Sequence, residues 1–318
     1  MDISIVIVNW NAKDLLRECL ASLVGKASGL AVEVIIVDNA STDGSAEMVE
    51  REYPAFRLIR SDSNLGFAAA NNLAIKQSSG KYVALVNSDI KVLPGCLEEL
   101  CRYLGTNPEV GCVGPRVLNP DLTVQDSCRY FPGIWNNLCS ASGLATAFPK
   151  CKALSGEHMI HFAHDRVCRV EALVGCFWMV RRAAFKEVGL LDEEFFMYAE
   201  DADWCRRSWR AGWPIVFVPS ASVIHYRGGS SGGDPVRWAV AQQESVRRYW
   251  KKHHGTTGVL AITALLFVRH LIRLGYITVT RLTVPNRAAV RSVGLGTKAC
   301  LKALLTPSAE PVSPRRLQ

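Results

Sequence analysis

Five short strand-like runs, residues 3–8, 34–37, 56–59, 82–86 and 110–113, alternate with four segments of helical periodicity over the first third of the chain. Most of the runs are continuously apolar and β-branched, as strands buried on both faces must be. Between them, residues 13–24 repeat apolar side chains at Leu15, Leu16, Cys19, Leu20 and Leu23, and residues 45–52, 66–77 and 95–104 also read as helices. This alternation predicts an α/β fold with a doubly wound, mostly parallel sheet. In such sheets ligands bind beyond the carboxyl ends of the strands. The residues there are polar: Asn9, Trp10 and Asn11 after the first run, Asp38 after the second, and Asn87, Ser88 and Asp89 after the fourth.

The remainder divides the chain further. Residues 116–168, rich in Pro, Cys and His, carry no clear period. Order returns over 170–181, in a helix over 200–211 and in a strand over 215–218. We expect three parts, residues 1–115, residues 116–231 and a basic helical region over 232–318. From Arg237 onward there are fourteen Lys or Arg and two acids, Glu244 and Glu310, so this last region holds all the excess positive charge. Its apolar run of eleven, residues 258–268, is short of the roughly 20 residues a membrane span needs. Leu260, Ala264, Phe267, Leu271 and Leu274 share one helical face, with Arg269, His270 and Arg273 following the run. An amphipathic helix in the plane of an anionic membrane surface fits this pattern, the alternative being a helix packed on the core. Nucleic acid is not expected as a partner, because the basic segment lacks interleaved aromatics. The Pro-, Ser- and Arg-rich residues from 306 read as disordered.

The eleven cysteines are dispersed, with no CxxC, which argues against a zinc ribbon or a disulfide scaffold and for reduced thiols. The chain opens on an acid and an alternating apolar run, not on the basic-then-apolar pattern of a leader. The expected location is therefore cytoplasmic, peripheral on the inner face of the cell membrane.

Three acidic clusters carry possible chemistry. In VDNASTD (37–43), Asp38 at a strand end can accept hydrogen bonds from a base or ribose, while Asp43 reads as a cap of the next helix. In ALVNSDI (84–90), Asp89 follows a buried strand, where an acid must be solvated, paired or metal-bound. A hard divalent ion with oxygen ligands would suit it. In FFMYAEDADWCRR (195–207), the aromatic run sets Glu200 or Asp201 against an apolar wall, which raises a carboxyl pKa and makes a better base. Asp203 reads as the partner of Arg206 or Arg207. His225, ahead of the glycine-rich RGGSSGG, is a candidate metal ligand beneath a mobile lid. His158, His161 and His164 with Asp165 have no recognisable zinc spacing and read as a solvated or acceptor-loop feature.

Taken in order, VIVNWN (6–11), VDNASTD, NLGFAAANN (64–72), LVNSDI (85–90), FFMYAEDADWCRR, AGW (211–213) and HYRGGS (225–230) resemble glycosyltransferase family 2, in its bacterial rhamnosyltransferase-like branch. The resemblance covers roughly residues 3–231. It implies a GT-A fold, with a nucleotide-sugar-binding half over 1–115 and an acceptor half over 116–231, and transfer of a sugar, with inversion, from a nucleotide-sugar donor to a hydroxyl of a glycan or lipid-linked acceptor in cell-envelope polysaccharide synthesis. By the same resemblance Asn9, Asn11 and Asp38 would lie at the nucleotide, with Asp38 at the base. Asn64, Gly66 and Asn71 would shape its pocket, beside Asn87. Asp89 would bind a divalent cation, Mg2+ or Mn2+, and His225 would complete that site. Asp201, or else Glu200, would be the base, and Trp178 and Trp204 would be sugar-stacking surfaces. One departure stands out: the first acid of the family's DxD-type motif is the amide Asn87.

Two other readings compete. A non-catalytic sugar-nucleotide-binding protein would keep Asp38 and have no use for the Glu200–Asp201 pair. A nicotinamide dehydrogenase would need a GxGxxG after the first strand, and none is there.

Overall fold

The computed structural model describes residues 1–24, 29–226, 235–283 and 288–305. The expected lid, RGGSSGG at 227–233, and the expected disordered tail from 306 lie outside the described residues. The chain begins with β1 (Ile3–Asn9), α1 (Lys13–Leu23), β2 (Val32–Asp38), α2 (Ser45–Glu52), β3 (Arg57–Arg60), α3 (Phe67–Gln77) and β4 (Tyr82–Asn87). It continues with β5 (Ile90–Val92), α4 (Cys96–Thr106), β6 (Cys112–Leu118), β7 (Cys128–Arg129), α5 (Ile134–Ala141) and α6 (Leu144–Ala147). Next come β8 (Cys168–Arg169), β9 (Ala172–Leu173), β10 (Phe177–Arg181), α7 (Arg182–Val188), α8 (Glu200–Arg210) and β11 (Ile215–His225). Two long helices finish the chain, α9 (Pro235–Thr283) and α10 (Ala288–Leu305).

The main sheet runs in the order β3-β2-β1-β4-β10-β6-β11-β5. β3, β2, β1 and β4 are parallel, as expected. β10 then enters antiparallel to both β4 and β6, so the second half of the sheet is mixed. Strand side chains alternate between faces. Ile3, Ile5 and Ile7 therefore pack with Leu16, Leu20, Met48 and Leu100 of α1, α2 and α4 on one face. Val6, Ile35, Val83 and Leu85 pack with Ala70, Ala74, Phe185 and Trp204 of α3, α7 and α8 on the other.

A third cluster joins the carboxyl-terminal helices to this body through Phe195, Tyr249, Trp250, Ile262, Leu266 and Leu304. A charge network fixes the joint. Asp203, fully buried, accepts from Arg207 Nε at 2.9 Å, Lys252 Nζ at 2.8 Å and His253 Nε2 at 2.7 Å. The expected partner Arg207 is thus found, whereas Arg206 turns to the Tyr249 hydroxyl and His254. Ser245 and Arg248 of α9 also donate to the Met197 and Glu194 carbonyls.

α9 bends at Gly255, whose φ of 66° lies outside helical space. By length and composition the helix is apolar enough to cross a membrane, which the run of eleven alone did not suggest. Beyond Gly255 the buried side chains Ile262, Leu266, His270 and Ile277 lie on one face, while Leu260, Val268, Leu271, Ile272, Tyr276 and Val279 are exposed.

Candidate functional site

Parallel β1, β2 and β4 end level with one another, with Asn9 opposite Asp38 and Val8 opposite Asn87. Asn9 Nδ2 donates to Asp38 Oδ1 at 3.3 Å and to Ser41 Oγ at 3.2 Å. The Ser41 N–H donates to Asp38 Oδ2, and the Thr42 N–H to Asn11 Oδ1. Asn11, in left-handed backbone at φ 50°, and Asn9 therefore shape the 38–43 loop. Asp43 receives the Lys13 and Ser45 N–H groups at the starts of α1 and α2, a capping role as expected.

Asn39, which the sequence did not single out, ties this loop to the next one. Its amide donates to Asn64 Oδ1 at 2.9 Å and accepts from the Leu65 N–H at 2.8 Å. Asn64 Oδ1 also receives the Gly66 N–H. Asn71 spends its amide N–H on the Phe67 carbonyl one turn back in α3. Gly66 has φ +81°, and a Cβ there would stand 2.4 Å from the Phe196 carbonyl oxygen. The same carbonyl accepts the Phe67 N–H at 2.7 Å. The nucleotide-side loop is thereby clamped to the segment leading into Glu200. Gly66→Ala should lower stability by about 1–3 kcal/mol, from left-handed strain alone, and should impair catalysis by displacing residues 196–201. Chemical denaturation and a turnover assay on the same preparation would check both.

Beyond β4 the polar atoms lack partners. Asn87 Oδ1, Ser88 Oγ and Asp89 Oδ1 are buried with no hydrogen bond. His225, at the end of β11, pairs with Ile90 across the sheet, and the Tyr226 N–H holds the Asp89 carbonyl. This brings His225 Nε2 to 3.3 Å from Asp89 Oδ1. Gln125 fixes the ring. Its Nε2 donates to the Asn119 side chain and the His225 carbonyl, so its Oε1, 2.8 Å from His225 Nδ1, must be the acceptor. Nδ1 is then the donor to Gln125, and Nε2 is the ring nitrogen that faces Asp89. A carboxylate oxygen, a ring nitrogen and spare amide and hydroxyl oxygens suit a hard cation that takes its other ligands from water and phosphate. Among the described residues, no three His, Cys, Asp or Glu side chains converge on such a site.

Tyr198 and Ala199 both adopt left-handed backbone, with φ 69° and 66°. Such non-glycine positions cost ~1–3 kcal/mol each and gather where structure is held for function. They deliver Glu200 and Asp201 to the first turn of α8. Asp201 receives the Ala202 N–H on Oδ1 at 2.7 Å and the Gly175 N–H on Oδ2 at 3.2 Å. Glu200 Oε2 is buried without a partner. Burial pushes the Glu200 carboxyl well above the usual range, and the Asp201 charge pushes it further. Burial raises Asp201 as well, but its two backbone donors and the Arg129 charge oppose that. The proton shared by the pair therefore favours Glu200.

A carboxyl raised on folding stabilises below its unfolded pKa and loses that contribution as pH rises through its folded value. Glu200→Gln should accordingly raise Tm at pH 8 and change it little near pH 4. Thermal unfolding at both pH values would read this.

One cavity of about 660 Å³ is lined by Asn87 and His225, by Gly175, Glu200 and Asp201, and by Arg129, Tyr130 and Glu157 of the irregular region. Asp38, Asn64, Asn71 and Asp89 are not among its lining residues. Burial lifts the Glu157 carboxyl to about 7 despite the nearby Arg129 charge. Neither Arg129 nor Glu157 was signalled by the sequence, because both fall in its aperiodic stretch. His158 lines the cavity, whereas His164 is buried against the Phe162 carbonyl and His161 stacks on Tyr130.

The expectation for Trp178 and Trp204 is corrected. They are 2% and 0% exposed, and their indole N–H groups are satisfied by the Val174 and Gly189 carbonyls. They pack on each other in the core and offer no face to a sugar.

The family model for Glycosyl transferase family 2 matches residues 4–189. The N-acetylglucosaminyl-diphospho-decaprenol L-rhamnosyltransferase of Mycobacterium tuberculosis is 31% identical over 296 residues, covering 85% of this chain and 94% of its own. Among solved structures, the mannosyltransferase PcManGT from Pyrobaculum calidifontis, in complex with GDP-Man and Mn2+, superposes with a TM-score of 0.56 at 14% identity. That match covers 95% of this chain and 85% of the other. GalNAc-T7 with UDP, GalNAc and Mn2+ matches with a TM-score of 0.54 at 16% identity over 79% of this chain, which spans 51% of that larger protein.

Proposed function

Because the chain belongs to glycosyltransferase family 2 and has the GT-A fold, we propose that it moves a deoxyhexose, rhamnose, from a nucleotide donor to a lipid-linked diphosphosugar of the cell envelope. The observation that carries this reading is the shared cavity, whose lining brings Asn87, with its unpartnered Oδ1, and His225 together with the buried carboxyl pair Glu200 and Asp201. The substrate classes follow those in the name of the mycobacterial relative.

In this reading Asp38, held by Asn9 and the Ser41 N–H, presents its carboxylate to the base and ribose. Asp89 and His225 hold a divalent cation, with Asn87 and Ser88 beside it. When bound, that cation neutralises the charge developing on the diphosphate leaving group. Asp201 is the base. Its two backbone hydrogen bonds fix its orientation, and Arg129 favours its charged form. It removes the acceptor hydroxyl's proton as the oxygen attacks the anomeric carbon, in one displacement that inverts configuration. Glu200 keeps its own proton and excludes water from beside Asp201. The closed pocket limits hydrolysis of the donor.

The exposed apolar face of α9, with Leu271, Ile272, Tyr276 and Val279, is proposed to lie in the cytoplasmic leaflet of an anionic membrane. That placement brings the acceptor lipid to the cavity.

The test uses the purified chain with a panel of nucleotide-sugars, Mn2+, Mg2+ or EDTA, and a GlcNAc-diphospholipid, with the lipid product read by mass spectrometry. Cation-dependent addition of one deoxyhexose is expected. Donors that bind but never turn over, with acceptor present, would replace this reading with that of a sugar-nucleotide-binding protein.

A further inference from the structure

The part of the cavity farthest in sequence from the donor loops is built by the carboxyl-terminal hairpin. Arg269, His270 and Arg273 of α9 line it, opposite Gly296 and Thr297 of α10. Arg269 and Arg273 stand one turn apart on the same helix and so project side by side. Among the described residues, no carboxylate lies within ion-pair distance of either guanidinium. Arg269 Nε is buried without a hydrogen bond. Glu157 is the acid in its field, and burial holds that carboxyl near 7, so it answers the charge only in part.

His270 does not add to the charge. Gln243 Nε2 donates to the Cys300 carbonyl, so its Oε1 must accept from His270 Nε2 at 2.7 Å. Burial and the two arginines push the ring down to about 4, and it is neutral at physiological pH. What is left is a pair of cations, one half-buried and one exposed, at a cavity edge.

On the outside of the same helix lies the exposed apolar row Val268, Leu271, Ile272 and Tyr276. A ligand fitting all three zones has an apolar tail, a dianionic junction and a sugar that reaches inward towards Asp201. We propose that Arg269 and Arg273 form the subsite for the diphosphate of the lipid-linked acceptor, distinct from the donor's diphosphate site at Asp89 and His225. The inference rests on the transferase reading above. Guanidinium forks match phosphate oxygens bidentately, and half-burying an unpaired cation is costly unless an anion answers it. The subsite would position the acceptor through a group remote from the reacting hydroxyl.

The same cations could instead serve anionic headgroups of the bilayer, and the test separates the two. Two water-soluble acceptors are compared without membranes: GlcNAc on a short alkyl diphosphate, and the same alkyl GlcNAc without phosphates. Arg269→Gln and Arg273→Gln should each raise KM for the diphosphate acceptor at least tenfold, with kcat and donor KM unchanged. Arg269→Lys should recover part of the loss. KM for the phosphate-free acceptor should match the wild type in every variant. Arg273 is exposed, so its variant reports even if Arg269→Gln folds poorly.

Unchanged KM for the soluble diphosphate acceptor, with weaker binding to phosphatidylglycerol vesicles, would overturn the subsite and assign the pair to headgroups. Equal wild-type KM for the two acceptors would also overturn it. A wild type that transfers to neither acceptor would defeat the transferase reading itself, and the subsite with it.

Discussion

Asp201→Asn is expected to lower kcat by about 10²–10⁴-fold, the usual contribution of a positioned general base, while nucleotide affinity stays at the parental value. The substitution is nearly isosteric, and an amide oxygen can still receive one of the Ala202 and Gly175 N–H groups. What it cannot do is take a proton from the acceptor alcohol. Asp89, His225 and Asn87 are untouched, so donor binding should survive. The pH dependence follows from the same geometry. Burial raises the Asp201 carboxyl, so the rate should climb with pH as that group ionises. Because Glu200 keeps its proton, Glu200→Gln replaces one neutral group by another and should leave this rise where it is. Steady-state rates from pH 5 to 9, with nucleotide titrations on each variant, would measure all of this. If Glu200→Gln is the inactive variant and Asp201→Asn the active one, the two roles are exchanged.

Asp203→Asn should have the largest effect on stability, about 3–5 kcal/mol, as when one partner of a buried ion pair is removed. Burial alone would raise this carboxyl. The hydrogen bonds from His253 and Lys252 and the Arg207 charge outweigh burial and hold it down at about 2. A carboxylate depressed on folding contributes above its unfolded pKa and loses that contribution as pH falls through its folded value. The network should therefore be intact at pH 7 and fade only between about pH 4 and pH 2. In Asp203→Asn, Arg207, Lys252 and His253 lose their common partner, and the tie between α8 and α9 weakens. Because α9 forms part of the cavity wall, catalysis should fall with stability, and cleavage near residue 255 should become easier. Urea denaturation and limited proteolysis would show it. An unchanged midpoint would mean that Arg207, Lys252 and His253 find other partners and that the apolar cluster around Tyr249 and Trp250 docks the helix alone.

The parallel strands were legible because a buried strand must be apolar along its length: residues 34–37 grew only to Val32–Asp38, and residues 45–52 became α2 unchanged. Direction was not legible. The apolar run at 177–181 looks the same whether it enters parallel or antiparallel, and it entered antiparallel. β11 was expected to stop at Val218, but a register shift between Val218 and Ser222 absorbs Pro219, Ser220 and Ala221, and pairing resumes with β6 to Ile224 and with β5 to His225. That continuation is what sets His225 beside Asp89. β5 has only three residues, too few for a period.

At the site, residues on loops after strands could be named in advance, because topology places them. Those from the aperiodic region and the carboxyl-terminal helices could not. Arg269 read only as a basic residue following the apolar run, with no sign that it lines the cavity. Trp178 and Trp204 misled because an indole suits a sugar face and a core equally well. A nearby backbone carbonyl for each N–H decided for the core.

The most direct test of a single displacement with Asp201 as base is the anomeric configuration of the first product, read by proton NMR in a transfer reaction from a donor of known anomer. Inversion is the predicted result, since the cavity then needs only one carboxylate to accept a proton. Retention would contradict the account, because a single back-side displacement by a hydroxyl that Asp201 deprotonates must invert the anomeric carbon.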